Sequence, residues 1–252
     1  MPNSSLCQYR DWDSEFFGDR IAQITVNRLT PKDMDTIMRW CAAQTIDCLY
    51  FFAETDDGET VSIAESNRFN LVDIRITLEK HLARNPVPEH EFSNGIIRLS
   101  TSGDISSLKA IASKSYQDSR FYYDPNFPNA RCEALYETWI EKSCQGYADT
   151  VLVAELEGQP IGYVSCHLLD QVTGKIGLVG LSVDAQGKGF GKRLIHASLQ
   201  WFAKQGTEQV TVVTQGRNVK AQRLYQKWGF LTQSVQLVYH RWFKYVKGEV
   251  ET

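Results

Sequence analysis

The sequence predicts an α/β fold around a mixed β-sheet, and three observations support that prediction. Short apolar or alternating segments, typical of strands, alternate along the chain with amphipathic segments of helical period. A stretch with two prolines and few apolar residues, His81–Gly95, is typical of a linker. The length of 252 residues suits one large domain or two small ones. We therefore expect a smaller N-terminal α/β domain at residues 1–88 and, at residues 89–252, a larger domain whose twisted central mixed sheet is flanked by helices.

The front part has the pattern β-α-β-α-β of an α/β layer. Thr30 is predicted to cap a helix that begins at Pro31, since the fixed φ of proline suits the first helical position. Residues 71–78 alternate apolar and polar side chains, as a half-buried strand does. The predicted strands are Ile21–Val26, Cys48–Ala53 and Leu71–Leu78, and the predicted helices are Pro31–Gln44 and Glu59–Arg68.

The back part is longer and again alternates strands with helices. Its clearest helix is residues 190–204, where Leu194, Ser198, Trp201 and Phe202 fall on one stripe. The predicted strands are Ile96–Ser100, Thr150–Leu156, Ile161–Leu168, Lys175–Val183, Gln209–Thr214 and Phe230–Phe243, and the predicted helices are Asp104–Tyr116, Ala130–Lys142, Phe190–Lys204 and Val219–Lys227.

Two segments of the chain share a layout. Residues 64–78 and 225–239 each contain a helix end, then a phenylalanine (Phe69 and Phe230), then an alternating strand. This layout predicts a weak internal repeat, in which the front part is a reduced copy of the C-terminal half of the back part.

Composition and charge exclude several classes of protein. Apolar residues make up 42% of the chain and charged residues 23%, which excludes general disorder, collagen and coiled coil. No apolar run approaches the ~18 residues of a membrane-spanning helix, and the first residues lack the pattern of a signal peptide. The net charge of -3, without a basic stripe, argues against nucleic acid as a partner. We expect a cytoplasmic protein that binds neither nucleic acid nor membrane.

The cysteines and histidines show no metal-binding pattern. The six cysteines form no CxxC pair, and the five histidines include no HExxH motif. We therefore expect free, mostly buried thiols and no metal site.

The strongest functional signal is a glycine-rich turn between a predicted strand and an amphipathic helix, at residues 181–193. Gly187, Gly189 and Gly191 allow a ligand to approach the backbone, because no Cβ stands in the way. The unpaired N–H groups at the start of the helix and the helix dipole attract an anion, so the turn predicts a pocket for a phosphate or pyrophosphate. Lys188, Lys192 and Arg193 add positive charge. The spacing GxGxG fits neither a dinucleotide fold nor a P-loop.

The glycine-rich turn, Gln186-Gly-Lys-Gly-Phe-Gly191, resembles the acyl-CoA pyrophosphate loop of the GCN5-related N-acetyltransferases (GNAT). The segment from Asn218 to Phe230 resembles a second motif of that family, Asn-x-x-Ala-x-x-Leu-Tyr-x-x-x-Gly-Phe, at every fixed position. The resemblance covers the back part and implies a GNAT fold and acetyl-CoA as co-substrate. It implies cofactor binding by Leu181, Ser182, Val183, Gln186, Gly187, Lys188, Gly189, Phe190, Gly191, Lys192 and Asn218.

Tyr225 is the candidate catalytic residue. A phenol with a pKa of ~10 is protonated at neutral pH, so it can give a proton to a departing thiolate. The resemblance assigns the same role of general acid to this tyrosine. A backbone N–H near Leu181 or Ser182 would stabilise the oxyanion. For the general base, water relays or backbone carbonyls can suffice, and His167 and Glu155 are candidates by residue type alone.

Further segments of the chain narrow the resemblance to one group within this family. The opening Asp11-Trp-Asp-Ser-Glu-Phe-Phe-Gly18 and residues 69–77, 119–127 and 134–139 are similar to TDP-fucosamine acetyltransferases and their relatives. This similarity implies a TDP-linked 4-amino-4,6-dideoxyhexose as acceptor. In the loop between two predicted helices, aromatic side chains could stack on a base and an arginine could meet a diphosphate, or the loop could simply cover the sheet. The candidate substrate residues are Arg120, Phe121, Tyr122, Tyr123 and Phe127.

The sequence therefore predicts an N-acetyltransferase, with other functions left open. The acceptor could instead be another small amine or a peptide, and a non-catalytic CoA-binding module has the same fold. A homodimer is compatible with the resemblance, and no sequence feature specifies it.

Overall fold

A computed structural model describes residues 6–88 and 96–243. In chain order the strands and helices are β1 (Cys7–Tyr9), α1 (Asp11–Phe17), β2 (Ile21–Ile24), α2 (Pro31–Ala43), β3 (Cys48–Glu54), α3 (Gly58–Ser66), β4 (Asn70–His81), β5 (Ile96–Leu99), α4 (Ile105–Ser115), α5 (Arg120–Tyr123), α6 (Asn129–Lys142), β6 (Thr150–Leu156), β7 (Gln159–Leu168), β8 (Thr173–Leu181), α7 (Phe190–Lys204), β9 (Gln209–Gln215), α8 (Val219–Lys227) and β10 (Leu231–Trp242). Short 3-10 turns cover Ser102–Asp104 and Val183–Ala185, and a π turn covers Ser143–Tyr147.

The chain forms two compact units. Unit 1 consists of the described residues of Met1–Arg75, Ser119–Pro128 and Val235–Thr252, and unit 2 consists of those of Ile76–Asp118 and Asn129–Ser234. Strands β4 and β10 each contribute residues to both units.

Unit 1 holds the strand order β1-β2-β3-β10-β4. β2 runs parallel to β3, with Ile21 opposite Cys48, whereas β10 runs antiparallel to β3, with His240 opposite Tyr50. Thr30 caps α2, as predicted, by accepting the N–H of Asp33, and Asp33 in turn accepts the Thr30 N–H, so that the two form a capping box. Alternate residues of β3 point to opposite faces of the sheet, so Leu49 and Phe51 lie on one face and Tyr50 and Phe52 on the other.

The core of unit 1 lies on the first of those faces. Leu49, Phe51 and Tyr239 pack there with the apolar side of α2, which contributes Ile37 and Cys41. All these side chains are buried. The face with Tyr50 and Phe52 is thereby left to other partners, which are described below.

Unit 2 holds the strand order β4-β9-β8-β7-β6-β5. β8 and β9 are parallel, and β5 to β8 are antiparallel neighbours. Of the stripe predicted on α7, Leu194, Ser198 and Phe202 are fully buried and Trp201 is partly buried. Leu194 and Phe202 pack in one core cluster with Val210 and Val212 of β9.

Two strand–helix–strand segments of the chain repeat each other. The first segment is β3, α3 and β4, and the second is β9, α8 and β10. Each element of the second segment begins and ends 161 positions after its counterpart in the first. Arg75 and Gln236, for example, are equivalent residues of β4 and β10 separated by 161 positions. The loops into the last strand agree as well, because Phe69 N–H donates to the Ala64 carbonyl (3.1 Å) and Phe230 N–H donates to the Tyr225 carbonyl (3.2 Å). The shared layout seen in the sequence is therefore a structural repeat of strand, helix and strand.

The predicted fold class is confirmed, and three features differ from the predicted elements. β1 and α1 were not predicted, although Gly18 ends α1 in the left-handed conformation (φ 79°) that glycine favours. Residues 120–123 form the short helix α5 where a loop was predicted. The predicted linker begins after His81, because His81 is the last residue of β4; residues 82–84 form a turn, and residues 89–95 lie outside the described residues.

The predicted domain boundary between residues 88 and 89 adjoins residues outside the description and stays a prediction. In the described part of the chain, no helix is long and apolar enough to cross a membrane.

Candidate functional site

The glycine-rich turn of unit 2 presents bare backbone. Gly187 and Gly189 have φ of 76° and 87°, a region that residues with a Cβ rarely adopt. A Cβ built on either glycine would meet no atom within 4 Å. Gly189 caps α7 without a side-chain hydrogen bond. The first N–H groups of this 15-residue helix therefore face open space at its positive end.

Gly191 serves packing. A Cβ there would lie 3.3 Å from Leu224 Cδ2 and 3.5 Å from Leu181 Cδ1. The missing side chain lets α7 approach β8 and α8 closely. The three glycines of the motif thus have two different structural roles.

The basic residues around the turn also differ from one another. Lys188 and Lys192 are exposed, as a site for an anion needs. Arg193 is 8% exposed, and its guanidinium carbon lies 5.3 Å from the centroid of the Phe190 ring. Burial lowers the pKa of Arg193. The charge that the sequence places at the turn therefore comes from the two lysines.

The parallel strands β8 and β9 separate next to this turn. They pair from Thr173 to Ile176 on β8, and β8 then continues to Leu181 beyond the last paired position. Ser182 N–H donates to the Ile161 carbonyl (2.9 Å) and Leu178 N–H donates to Ser165 Oγ (2.8 Å), so at this end of β8 residues 178, 180 and 182 face β7.

Because extended residues alternate, Val179 and Leu181 direct their N–H groups away from β7. On this side β8 no longer pairs with β9. Of the two residues considered as oxyanion donors, Ser182 has its N–H bonded within the protein, and Leu181 presents its N–H to the gap. Val183 lies in the following 3-10 turn and is 70% exposed.

Asn218 and Tyr225 lie on α8, as the second motif predicts. Asn218 caps the helix, because its Oδ1 accepts the Ala221 N–H at 3.0 Å. Tyr225 is 5% exposed, and its ring lies 5.7 Å from that of Phe230. Burial raises the pKa of Tyr225, so the phenol keeps its proton at neutral pH.

Two further tyrosines, not identified from the sequence, belong to this surrounding. The hydroxyls of Tyr116 and Tyr163 are 2.9 Å apart, and Tyr116 stacks on Tyr136 with centroids 4.2 Å apart. Burial raises the pKa of Tyr116, with smaller contributions from its neighbours, including Tyr225. No local signal marks these residues, because the contact joins α4 to a strand 47 positions away.

The two candidate bases have different surroundings. Glu155 Oε2 accepts from Arg98 Nε at 2.6 Å, and the same guanidinium binds both carboxylate oxygens of Asp104. Burial, followed by Lys175, lowers the pKa of His167, so its imidazole is neutral at pH 7. Glu155 is thus already engaged by Arg98, whereas the neutral imidazole of His167 has a lone pair to offer, which favours His167 of the two.

The predicted acceptor residues belong to unit 1. Phe121 and Phe127 are buried, and each packs against Phe17, with centroids 5.5 and 4.5 Å away. Their positions agree with the alternative that this segment covers the sheet. Tyr123 is 60% exposed. Tyr122 is half-buried.

Arg120 lies over two rings of unit 1 and is held from one side. Its guanidinium carbon is 4.2 Å from the Tyr50 centroid and 4.5 Å from the Phe121 centroid. Its Nη1 lies 3.2 Å from His240 Nε2, and His240 Nδ1 lies 2.7 Å from Asp124 Oδ2. No local pattern pairs Asp124 with His240, because the two residues meet across 116 residues of chain.

Metal-ligating side chains and cysteines also occur within the described residues. No group of three or more His, Cys, Asp or Glu side chains there could hold a metal ion. The six cysteines are free thiols, five of them buried.

Residues 114–230 match the model of the acetyltransferase (GNAT) family. Over most of its length the chain is similar to the dTDP-fucosamine acetyltransferase of Escherichia coli O6:H1, with 27% identity covering 93% of this chain and 97% of that protein. It is also 27% identical to the spore coat polysaccharide biosynthesis protein SpsD of Bacillus subtilis, over 56% of this chain and 48% of that one.

Solved structures agree on the fold. A GCN5-related N-acetyltransferase from Sphaerobacter thermophilus superposes with a TM-score of 0.68 at 13% identity, over 95% of this chain and 76% of that chain. A tandem GNAT protein from the clavulanic acid biosynthesis pathway superposes with a TM-score of 0.62 at 11% identity, over 91% and 77% of the two chains.

Proposed function

The chain carries an acetyltransferase domain of the GNAT family, and from that premise we propose that it transfers an acetyl group from acetyl-CoA to the amino group of a TDP-linked 4-amino-4,6-dideoxyhexose. The observation that carries this substrate is the similarity to a dTDP-fucosamine acetyltransferase, which spans 93% of the chain and includes unit 1. Sequence similarity limited to the acetyltransferase domain would not identify the acceptor, because that domain is shared by enzymes with different acceptors.

The glycine-rich turn fits the pyrophosphate of acetyl-CoA. Gly187 and Gly189 leave open space over bare backbone, and Lys188 and Lys192 are exposed beside it. The gap between β8 and β9 fits the pantetheine arm, because the backbone N–H groups of Val179 and Leu181 are directed into it and can bond to the arm as a neighbouring strand would. Asn218, whose oxygen caps α8, has its amide NH2 group to offer the arm.

Different residues of unit 2 then carry out the separate steps of acetyl transfer. Bound acetyl-CoA supplies a thioester whose acetyl carbon is attacked by the neutral amine. The Leu181 N–H stabilises the oxyanion that forms as the C–N bond is made. Tyr225 donates its proton to the sulfur as the C–S bond breaks, and His167 accepts the proton released by the amine, directly or through water.

A second candidate is acetylation of another small amine. Mycothiol acetyltransferase of Saccharomonospora viridis is 33% identical over 42% of this chain, although the match covers only 36% of that protein. The same experiment therefore has to offer acceptors of several classes.

The deciding measurement is release of CoA thiol from acetyl-CoA. The acceptors would be TDP-4-amino-4,6-dideoxygalactose, its glucose epimer, a polyamine and a test peptide, each tested with the wild type and with Tyr225→Phe. Release with a TDP-amino sugar alone supports the proposal. Release only with the polyamine or the peptide overturns the acceptor. Release that persists in Tyr225→Phe overturns the assignment of the acid.

A further inference from the structure

Two arginines of unit 1 share one aromatic ring. Tyr50 and Phe52 are two residues apart on β3 and lie on the same face of the sheet, opposite the core of unit 1. The guanidinium carbon of Arg120 is 5.4 Å from the Phe52 centroid, and that of Arg75 is 5.7 Å from it. Two positive charges are thus held over the same side chain.

The protein leaves this pair of charges without a matching pair of anions. In residues 6–88 and 96–243, no carboxylate lies within ion-pair distance of either guanidinium. Arg75 Nη1 donates to the amide oxygen of Gln236 (3.4 Å), and burial together with Arg120 lowers the pKa of Arg75. Asp13 offsets part of the charge of Arg120 from a distance, since Arg120 opposes the rise that burial causes in the pKa of Asp13.

Arg120 is fixed in place before any ligand arrives. Asp124 Oδ2 accepts from His240 Nδ1 (2.7 Å) and from Trp242 Nε1 (2.8 Å). His240 is therefore the tautomer whose Nε2 has a lone pair, and that lone pair accepts from Arg120 Nη1. A neutral histidine between the two holds the guanidinium on the ring of Tyr50 without neutralising it.

A buried polar atom in the same cluster also lacks a partner. The Tyr50 hydroxyl is fully buried and, within the described residues, has no hydrogen-bond partner. The Tyr50 ring stacks on His240, with centroids 4.5 Å apart, and lies beneath Arg120. Uncompensated like charges and an unsatisfied hydroxyl both cost stability, which is typical of a surface built for a ligand.

We propose that Arg75 and Arg120, over Phe52, bind the diphosphate of a nucleoside diphosphate sugar. This inference rests on the proposed function, because a TDP-linked acceptor carries the required two negative charges. Guanidinium groups present parallel N–H donors that match phosphate oxygens in pairs, and two of them balance one diphosphate. Phe52 provides the apolar floor beneath the charged groups.

The test is calorimetric titration of the full-length protein with dTDP and, separately, with acetyl-CoA. Both ligands contain a diphosphate, so the two titrations distinguish the sources of that group. The variants are Arg75→Gln and Arg120→Gln, with Arg39→Gln as matched control because Arg39 is an exposed arginine of the same unit on α2. If Arg120→Gln disturbs the packing of unit 1, Arg120→Lys and Phe52→Leu serve as the more conservative substitutions. Melting curves establish that each variant is folded.

We expect the Kd for dTDP to rise about tenfold or more in each of the two glutamine variants and to stay unchanged in Arg39→Gln, with acetyl-CoA binding unaffected throughout. For Arg75→Gln, the acceptor KM should rise while kcat is retained. Unchanged dTDP affinity in folded Arg75→Gln and Arg120→Lys overturns the inference, and so does a loss of acetyl-CoA affinity in place of dTDP affinity.

Failure of this inference can be told apart from failure of the proposed function. If the wild type acetylates a TDP-amino sugar and Arg75→Gln leaves its KM unchanged, the diphosphate site is wrong and the function stands. If dTDP binding depends on both arginines but no TDP-amino sugar is acetylated, the site stands and the acceptor is wrong.

Discussion

Ala64 occupies, in the first copy of the strand–helix–strand repeat, the position that Tyr225 occupies in the second. Each backbone carbonyl accepts the N–H of the phenylalanine five residues later, Phe69 at 3.1 Å and Phe230 at 3.2 Å. The backbone has been kept and the phenol is present in one copy only. The helix that precedes each copy also lacks the site in the first copy: α7 follows the glycine-rich turn, whereas α2 begins at Pro31 after a threonine cap. The acetyl-transfer chemistry we propose therefore belongs to the second copy.

Replacing the phenol should slow the chemical step. We expect Tyr225→Phe to lower kcat by ~10²–10⁴-fold, the usual contribution of a positioned acid, because the departing thiolate loses its proton donor. The ring and its contact with Phe230 remain, so the Kd for acetyl-CoA should not change. Tyr147→Phe is the control, since Tyr147 is 76% exposed. A kcat within about twofold of the wild type in Tyr225→Phe would rule out this acid.

A methyl group on the glycine-rich turn should weaken cofactor binding. In Gly189→Ala the Cβ enters the space above the first turn of α7, and the left-handed backbone costs about 1–2 kcal/mol of stability. Gly206→Ala is a matched control, because Gly206 has φ of 80°, an equally open surrounding and a position just beyond the other end of α7. We expect similar losses in Tm for both variants, but an increase of about tenfold or more in the Kd for acetyl-CoA only for Gly189→Ala. Equal affinities in the two variants would contradict the assignment of the turn.

The parts of the site that the sequence predicts are those built from neighbours in the chain. The glycine-rich turn and the helix of Tyr225 are read from residues within a dozen positions of one another, because strand, turn and helix impose local rules. The cluster of Arg75, Arg120 and His240 escapes such rules, since its members come from two strands and a short helix. Helix α1 was missed for a different reason, since its seven residues are too few to show a clear period.

The repeat also predicts a stabilising substitution. Arg68 has φ of 60° and precedes Phe69 as Gly229 (φ 79°) precedes Phe230. A residue with a Cβ is strained in this region, so Arg68→Gly should stabilise the protein by about 0.5–1 kcal/mol after the greater freedom of glycine in the unfolded chain is allowed for. Gly229→Ala should destabilise it, because the new Cβ would collide with the side-chain amide of Asn85. Chemical denaturation measures both, and a loss of stability in Arg68→Gly would refute the equivalence of the two turns.

One ion pair of unit 2 should matter for stability far more than another in unit 1. Both Nη atoms of Arg98 bind Asp104, at 2.7 and 2.8 Å, and Asp104 also accepts from the backbone and hydroxyl of Thr101. Its side chain is only 7% exposed, so Asp104→Asn leaves a half-buried arginine poorly matched and should cost about 2–4 kcal/mol.

The exposed pair Arg28–Asp56 has an equally short distance of 2.6 Å, yet the Asp56 side chain is 72% exposed. Asp56→Asn should change the free energy of unfolding by less than about 0.5 kcal/mol, because water screens the pair. Equal costs for Asp104→Asn and Asp56→Asn in urea denaturation would show that burial does not govern these interactions.

His240 should make the stability of the protein depend on pH in mildly acidic solution. Burial, with the nearby Arg120, lowers the pKa of His240 from 6.5 to about 4, against the opposing effect of Asp124. Between pH 6.5 and about 4 the unfolded chain therefore takes up a proton at this residue and the folded chain does not. The free energy of unfolding must then fall as the pH falls through this window, by up to about 1.4 kcal/mol per pH unit, and the effect is absent above pH 7 where both states are neutral.

Urea denaturation at several pH values would measure this slope. His240→Gln removes the titrating group, so the decline between pH 6.5 and 4 should be shallower than in the wild type, whatever the variant's stability at pH 7. His81→Gln is the control, since the His81 side chain is 41% exposed. Burial opposes the shift, but the hydrogen bonds from His240 and Trp242 lower the pKa of Asp124. This carboxylate therefore loses its charge only below the window and does not affect the comparison. Parallel slopes for His240→Gln and the wild type would mean that the imidazole is already protonated in the folded protein, and the Asp124–His240–Arg120 chain would then lack the lone pair that holds Arg120 in place.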